Sequence, residues 1–252
     1  MTAPRALAIV LPLLGAVLGG GCRSVAIPSA PPPLDPDAVQ RGALLFLDPR
    51  VSADGTRSCA SCHPGGGAIP ASFVGAHEVA PATPGGRNTL PLRGVWQTAP
   101  YLWDGSQATL RGTLLRMLEV EMGGGRLSER DLAALESYVL SIPPFERGRI
   151  EPDGRPREPA TLSAKRGFAI FRKLGCERCH PPPSFTRPRP TDLGTGGVFD
   201  APSLRGLADS GPWGHDGRWA TLEEAVRAVL RLRGRELSER EIYELISYLK
   251  LL

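Results

Sequence analysis

Aromatic residues are scarce in this chain of 252 residues, at 6%, and no segment shows the alternation of apolar and polar residues that marks a half-buried strand. Helices are therefore expected to carry the fold. Glycine and proline are abundant, with 30 and 26 residues, which predicts short helices separated by irregular chain. With so few aromatic side chains, something besides side chains must help to fill the core.

No block of one charge sign is present, because the basic residues lie among acidic ones and the formal net charge is only +4. This pattern argues against nucleic-acid binding. It permits an anionic protein as a partner.

The apolar run from Ala6 to Leu18 is too short and too closely followed by glycines to be a membrane-spanning helix. Coming after Arg5, it has the layout of an export signal. Small residues before Cys22 resemble a bacterial lipoprotein cleavage site, although Gly19 stands where such sites usually have leucine. We expect residues 1–22 to be a signal peptide with its lipoprotein cleavage site, so that Cys22 becomes the lipid-bearing first residue of the mature chain, with ordinary signal cleavage nearby as the alternative. The Pro-rich residues 23–37 then form an extended tether, and the expected location is the periplasm or outer cell envelope.

No cysteine is left over once the five are sorted, since Cys22 stands alone and the other four form two Cys-x-x-Cys pairs. A histidine follows each pair directly. The two motifs are Cys59-Ala60-Ser61-Cys62-His63 and Cys176-Glu177-Arg178-Cys179-His180.

This pentapeptide is the attachment signal for c-type haem. Two thiols add to the two vinyl groups of one porphyrin edge, and the turn between them brings the next imidazole beneath the iron. A zinc site and a thioredoxin-like redox pair are the alternatives. Zinc needs four well-placed ligands, and a redox pair needs no following histidine. The sequence therefore predicts two covalently bound haems c, whose porphyrins also supply the missing apolar mass.

The chain repeats itself around the two motifs, which predicts an all-α fold of two tandem cytochrome c-like domains at 38–148 and 160–252. The stretch from Leu92-Arg93-Gly94 to Ala108-Thr109-Leu110 returns as Leu204-Arg205-Gly206 to Ala220-Thr221-Leu222. Between the halves, 151–156 has the composition of a linker. Ser128 and Ser238 are expected helix N-caps. The predicted helices are 38–47, 108–119, 128–140, 163–173, 220–232 and 238–251.

Few residues could supply a sixth iron ligand: outside the motifs the histidines are His77 and His215, and the methionines after the initiator are Met117 and Met122. Met117 follows a predicted helix start at a separation from His63 that suits an axial thioether, with a core methionine as the alternative. The equivalent position in the second half is Val229, which cannot bind iron.

At these motifs the sequence resembles the bacterial di-haem cytochrome c peroxidase family, which also includes the maturase of methylamine dehydrogenase. The resemblance covers almost the whole mature chain. It rests on the two haem motifs and on Leu47-Asp48-Pro49-Arg50-Val51-Ser52, Arg87-Asn88-Thr89, Trp103-Asp104-Gly105, Pro202-Ser203-Leu204-Arg205-Gly206 and His215-Asp216-Gly217.

The resemblance implies a peroxidase in which one haem takes electrons from a small cytochrome or cupredoxin and the other reduces hydrogen peroxide. By position, His77 matches the displaceable distal histidine of the N-terminal haem and Glu121 matches its acid-base glutamate. Trp103 matches a residue between the haems. A surface role is the alternative for His77 and Glu121, and packing is the alternative for Trp103.

The chain departs from the family at its distal ligands. Val229 stands where the C-terminal haem usually has an axial methionine, whereas Met117 occupies that place in the first half. One hypothesis is therefore that the roles are exchanged, with the second haem the more reactive one. Ala201 and Ser203 replace threonines that often help to hold an interdomain calcium, which weakens the case for calcium.

Peroxide reduction is the leading interpretation, and a membrane-tethered electron-transfer cytochrome without a substrate is the main alternative. A maturase-like oxidation of another protein is a third. Arg87 and Arg205 are candidate partners of the haem propionates, with surface arginines as the alternative. The sequence leaves the electron donor unnamed beyond a small redox protein.

Overall fold

The computed structural model describes residues 30–64, 87–145 and 148–252. Each of the six predicted helices is present within one to three residues of its expected start, and the first haem motif adds a one-turn helix. The helices are α1 (Pro36–Leu47), α2 (Cys59–Cys62), α3 (Leu110–Arg116), α4 (Glu129–Ser141), α5 (Leu162–Lys173), α6 (Leu222–Leu232) and α7 (Glu239–Leu249).

Side-chain caps fix where these helices begin. The hydroxyl of Ser128 accepts the backbone N–H of Asp131 at the start of α4, and that of Ser238 accepts the N–H of Glu241 at the start of α7. Both predicted N-caps are therefore confirmed. Thr161 caps α5 in the same way through the N–H of Ala164.

Two glycines allow the first and last helix of each half to cross closely. In the first half, α1 to α4, a Cβ at Gly42 would overlap the carbonyl oxygen of Ala134 on α4. In the second half, α5 to α7, a Cβ at Gly167 would overlap the carbonyl oxygen of Glu244 on α7. The same helix crossing is thus built twice, from glycines that the sequence repeat already aligns.

Each half has its own apolar core. In the first half, Phe46, Leu135 and Val139 form the centre, and a second cluster collects around Leu118 and Leu132. In the second half the largest buried side chains include Phe171, Phe185 and Tyr248.

The second half contains a β-hairpin, so the all-α prediction was wrong in this detail: the protein is helix-rich with one small sheet. Strand β1 (Arg187–Asp192) pairs antiparallel with β2 (Val198–Ala201), with a register irregularity between Arg187 and Thr191. The strand was missed because Pro188 and Pro190 interrupt β1 and remove two backbone donors from its ladder.

The predicted linker is an anchored loop rather than a loose connection. The N–H of Glu151 donates to the carbonyl of Arg155 at 2.7 Å, and the buried Tyr248 hydroxyl donates to the carbonyl of Gly154 at 2.8 Å. This loop therefore packs on the second half. The domain limits 38–148 and 160–252 stay a prediction.

Within the described ranges, no helix is long and apolar enough to cross a membrane. The signal peptide, Cys22 and His77 lie outside the described residues.

Candidate functional site

The first Cys-x-x-Cys-His motif forms the single helical turn α2. The N–H of His63 donates to the carbonyl of Cys59 at 2.9 Å, which closes the turn and places the imidazole directly after it. Ser61 supports the turn because its hydroxyl accepts the N–H of Ser58 at 3.0 Å. The ring of Phe46, from the core of the first half, lies 6.4 Å from that of His63. The motif is therefore tied to the first core.

The second motif begins where Gly175 ends α5 in a left-handed conformation, with φ of 72°. A 3-10 turn over Cys176–Arg178 follows, and the N–H of His180 donates to the carbonyl of Cys176 at 2.9 Å. Both motifs thus fold into the same kind of closed turn.

Two backbone carbonyls orient the imidazole of His180. Its Nδ1 lies 3.1 Å from the carbonyl oxygen of Phe185, and the carbonyl oxygen of Pro202 also accepts a hydrogen bond from the ring. Burial lowers the pKa of His180 to about 4, which keeps the ring neutral, as a metal ligand must be.

The first cysteine of each motif differs from the reactive cysteine of a redox pair. Burial raises the pKa of both Cys59 and Cys176 to about 11, the opposite of the lowered pKa of a thioredoxin-like cysteine. None of the four motif cysteines is in a disulfide. Within the part of the chain that the structure describes, no three His, Cys, Asp or Glu side chains are grouped to hold a metal ion, so a zinc site has no support there.

Apolar side chains are left partly exposed at equivalent places in the two halves. Leu115 and Val120 follow the start of α3 and are 50% and 44% exposed, whereas Val229 and Leu232 end α6 at 38% and 43%. The indole N–H of Trp96 is buried without a partner. A porphyrin that covers apolar surface and carries carboxylates fits both observations, so the residues present suit covalently bound haem.

A π-helical turn over Met117–Glu121 continues α3. The N–H of Met122 donates to the carbonyl of Met117 at 2.9 Å, and the Met122 side chain packs in the core, 8% exposed. Met117 and Glu121 are half-buried on this turn. Since π turns often mark functional sites, the turn supports a role for the Met117–Glu121 segment. Of the two methionines, only Met117 remains a candidate ligand.

The second half replaces this acidic turn with a basic one. Counted from the repeated Ala-Thr-Leu, Val229 is equivalent to Met117 and Arg233 is equivalent to Glu121. Burial raises the pKa of Cys176 and lowers that of His180, and the positive charge of Arg233 opposes burial at Cys176 and adds to it at His180. Arg233 therefore lies near the second motif. Counting residues along the sequence repeat would have been enough to predict that Arg233 stands in the second half where the first half has Glu121.

Trp103 joins the two halves. Its indole N–H donates to the carbonyl of Asn88 at 2.7 Å, and its own carbonyl accepts the N–H of Asp200 at 2.7 Å. Its ring meets those of Phe199 and His215 edge to face, at 6.5 and 6.3 Å between centroids. These contacts link the two halves, and the position of Trp103 between the haems stays a prediction.

His215 is buried in the same cluster. Its ring stacks on Phe199 at 4.0 Å, and its Nε2 lies 2.9 Å from the carbonyl oxygen of Thr195, so Nε2 carries the proton. The opposite nitrogen, Nδ1, is buried without a partner. The structure thus assigns His215 to the interface, and its role as an iron ligand stays a prediction. Phe199 has no counterpart in the motifs and was missed.

The other predicted site residues are engaged with protein groups. Arg205 donates to the carbonyls of Pro183 and Phe145 at 2.7 and 2.9 Å, and Arg87 lies over the ring of Phe199 at 5.2 Å. Their propionate contacts stay a prediction. The Ser203 hydroxyl donates to the carbonyl of Ser184, and the carbonyl of Ala201 accepts from Thr186.

Comparison with known proteins identifies relatives along most of the chain. A family model described as "Di-haem cytochrome c peroxidase" matches residues 36–142. The methylamine utilization protein MauG of Methylorubrum extorquens is 30% identical over 87% of this chain and 79% of its own length. Cytochrome c551 peroxidase of Nitrosomonas europaea is 23% identical over 97% of this chain and 91% of its own length.

Solved structures share the fold. Hydrazine synthase of Kuenenia stuttgartiensis superposes with a TM-score of 0.71 at 22% identity, covering all of both chains. The di-haem peroxidase BthA of Burkholderia thailandensis gives a TM-score of 0.62 at 20% identity, over 87% of this chain and 86% of its own.

Proposed function

Because the chain belongs to the di-haem cytochrome c peroxidase family, we propose that it is an exported enzyme that reduces hydrogen peroxide with electrons from a small redox protein. Two tandem cytochrome c-like domains each carry one haem c, attached at Cys59 and Cys62 and at Cys176 and Cys179. His63 and His180 are the proximal ligands. The observation that carries the proposal is the asymmetry between Glu121 and Arg233, which occupy equivalent places in the two halves.

We assign peroxide reduction to the first half because that half contains Glu121. A carboxyl group can take a proton from one peroxide oxygen and return it to the other, whereas a guanidinium stays charged and cannot. Haem iron, when bound, supplies the electrons that cleave the O–O bond, and each peroxide consumes two electrons and two protons to give two waters. The hypothesis drawn from the sequence made the second haem the more reactive one, but it used Met117 and Val229 alone. The proposal made here gives peroxide reduction to the first haem instead.

The second half then receives electrons. Val229 offers no ligand, and Arg233 places a fixed positive charge near His180. A nearby positive charge favours the reduced state of a metal centre because it lowers the energy of an added electron. Trp103, in contact with both halves, lies where electrons must pass between the sites.

The sixth ligands complete the proposal. For the first haem, Met117 and His77 are the two candidates, and for the second, His215 is the candidate. Optical and EPR spectra of Met117→Ala, His77→Ala and His215→Ala identify each ligand, because loss of a true ligand converts one low-spin haem to high spin.

An interdomain calcium would fit Asn88 better than Ala201 or Ser203. The side-chain oxygen of Asn88 is buried without a partner, and its amide nitrogen lies 2.6 Å from the carbonyl oxygen of Pro212. Calcium binds through such oxygens. Removal of calcium with a chelator should then lower turnover, and Asn88→Ala should abolish the calcium dependence.

Export and anchoring are part of the same proposal. The signal ends at Cys22, which carries the lipid, and residues 23–37 hold the enzyme away from the membrane. Labelled palmitate should enter the wild-type protein but not Cys22→Ser, which should be released as soluble protein.

One experiment separates this enzyme from a simple carrier. Protein matured in a host that attaches haem should give two haems per chain by pyridine haemochrome assay, a high-spin signal in the oxidised or half-reduced state, and peroxide-dependent oxidation of a reduced small cytochrome. Two low-spin haems without turnover would instead establish a non-enzymatic carrier. Colourless protein would remove both interpretations.

A further inference from the structure

The end of α6 and the loop that leads to α7 carry three exposed arginines: Arg231, Arg233 and Arg235. Among the described residues, none of the three forms an ion pair with a carboxylate. Arg227, one turn earlier on α6, instead pairs with both Glu223 and Glu239. The three arginines are therefore exposed and without an ion pair among the described residues.

This basic loop, residues 231–235, borders the second haem motif. Gly234 and Arg235 face Lys173 and Leu174 across a cleft of about 290 Å³, and Leu174 lies two residues before Cys176. Two acids, Glu236 and Glu241, also line the cleft, and the charge of Lys173 acts on Glu241. The three arginines and Lys173 together outnumber these two carboxylates, so the surface keeps a net positive charge.

An exposed apolar side chain lies within the basic loop. Leu232 is 43% exposed and lies beside the hairpin turn at Gly194. A half-exposed leucine among unpaired arginines resembles a protein-docking surface, in which a small apolar centre is surrounded by charges that orient the partner.

The positive charges of the loop arginines are not explained by pairing with haem propionates. Haem carries its propionates on the edge opposite its two vinyl groups, and the vinyl groups are the ones bound by cysteine thiols. A cation near Cys176 is therefore at the wrong edge for a propionate. It is at the edge that an incoming redox partner would approach.

We propose that the basic loop, with Leu232 at its centre and Lys173 beside it, is the docking surface for a small acidic redox protein that reduces the second haem. This inference rests on the proposed electron-accepting role of the second half. In each encounter the reduced partner loses one electron and the ferric centre held by His180 gains it, with no bond made or broken.

The partner is acidic because three fixed guanidinium charges attract an anionic surface and repel a basic one. Such steering raises association rates by about 10- to 1000-fold at low ionic strength and is screened at high salt. A reduction rate that falls with salt is therefore expected if the arginines bind the partner. It is not expected if they only stabilise the fold.

The test compares two triple variants of the full-length holoprotein. The first, Arg231→Gln, Arg233→Gln and Arg235→Gln, removes the loop charges. The control, Arg126→Gln, Arg130→Gln and Arg149→Gln, removes three exposed arginines that lack an ion pair in the described residues and lie outside the second haem motif and its basic loop. Both lower the net charge by three.

Stopped-flow absorbance follows reduction of the second haem by an acidic cupredoxin, without peroxide, at low and high ionic strength. We expect the loop variant to be reduced at least 10-fold more slowly at low salt and to lose most of its salt dependence, whereas the control changes less than 2-fold. Each cupredoxin rate is divided by the rate with uncharged hydroquinone, so that any change that the lost Arg233 charge makes to the second haem itself cancels and the ratio measures docking.

Equal reduction rates for the wild type and loop variant would overturn the proposal, as would faster reduction of the wild type by a basic cytochrome. The loop variant could instead lose binding to anionic lipid vesicles while its reduction by cupredoxin stays unchanged. That result would also overturn the proposal, because the loop would then be a membrane contact. Because no peroxide is present, absence of peroxidase activity would contradict the proposed function without affecting this measurement.

Discussion

The indole of Trp103 and the imidazole of His215 meet edge to face, with their ring centroids 6.3 Å apart and their planes at 76°. Trp103 belongs to the first half and His215 to the second. The stacked ring of Phe199 extends the contact, with its centroid 4.0 Å from that of His215. The two halves are therefore joined through a continuous aromatic cluster.

Replacing Trp103 should impair communication between the halves. We expect Trp103→Leu to keep both haems and lower peroxide turnover at least 10-fold, about 1.4 kcal/mol in activation free energy, because electrons lose the aromatic contact between the sites. Steady-state turnover and haem content per chain are measured together. Trp213→Leu is the control, since Trp213 bonds within the second half, to the carbonyl of Leu207. Equal losses in both variants would indicate a packing role only.

Glu121→Gln should lower kcat/KM for peroxide by about 100- to 10,000-fold, because the amide has nearly the same shape but cannot exchange a proton. The spectra of both haems should stay unchanged. Glu119→Gln is the matched control, because Glu119 lies on the same π turn but is exposed. Unchanged peroxide turnover in Glu121→Gln would remove Glu121 from the mechanism.

Val229→Met should place a thioether where it replaces His215 as the sixth ligand of the second haem. Val229 is 38% exposed and occupies the place equivalent to Met117, so a longer thioether side chain has room to reach the iron. Axial methionine raises the reduction potential. We expect a higher potential and a low-spin second haem by spectroelectrochemistry, whereas Val229→Leu, which has no sulfur atom, changes neither. The same spectra for both variants would show that position 229 does not face the iron.

The sequence predicted the features that local chemistry determines. Ser128 and Ser238 cap helices because their hydroxyls accept nearby N–H groups, a relationship within three residues of chain. The haem motifs are equally local, since five consecutive residues carry the signal. Gly42 and Gly167 were visible as repeat landmarks, and the structure adds their reason, which is close helix crossing.

Long-range contacts could not be predicted. Phe199 lies 16 residues from His215 in the chain, and nothing in either local sequence indicates that their rings stack. The β1 strand was hidden by its own prolines, because its pairing depends on β2 rather than on alternation. The π turn at Met117–Glu121 also has no sequence signature, although it orients the candidate catalytic carboxylate.

The buried hydroxyl of Tyr248 ties the loop at 151–156 to the second core, and removing it should loosen that loop. Tyr248→Phe keeps the ring but leaves the carbonyl of Gly154 without its donor, so we expect a loss of about 1–2 kcal/mol in the free energy of unfolding. Urea denaturation measures this, and limited proteolysis should show faster cleavage near residue 153. Tyr243→Phe is the control, because Tyr243 is 65% exposed and should change stability by less than about 0.5 kcal/mol. If Tyr248→Phe were as stable and as resistant to protease as Tyr243→Phe, the loop would be held by its apolar contacts, such as Ile150 against the second core, and not by this hydrogen bond.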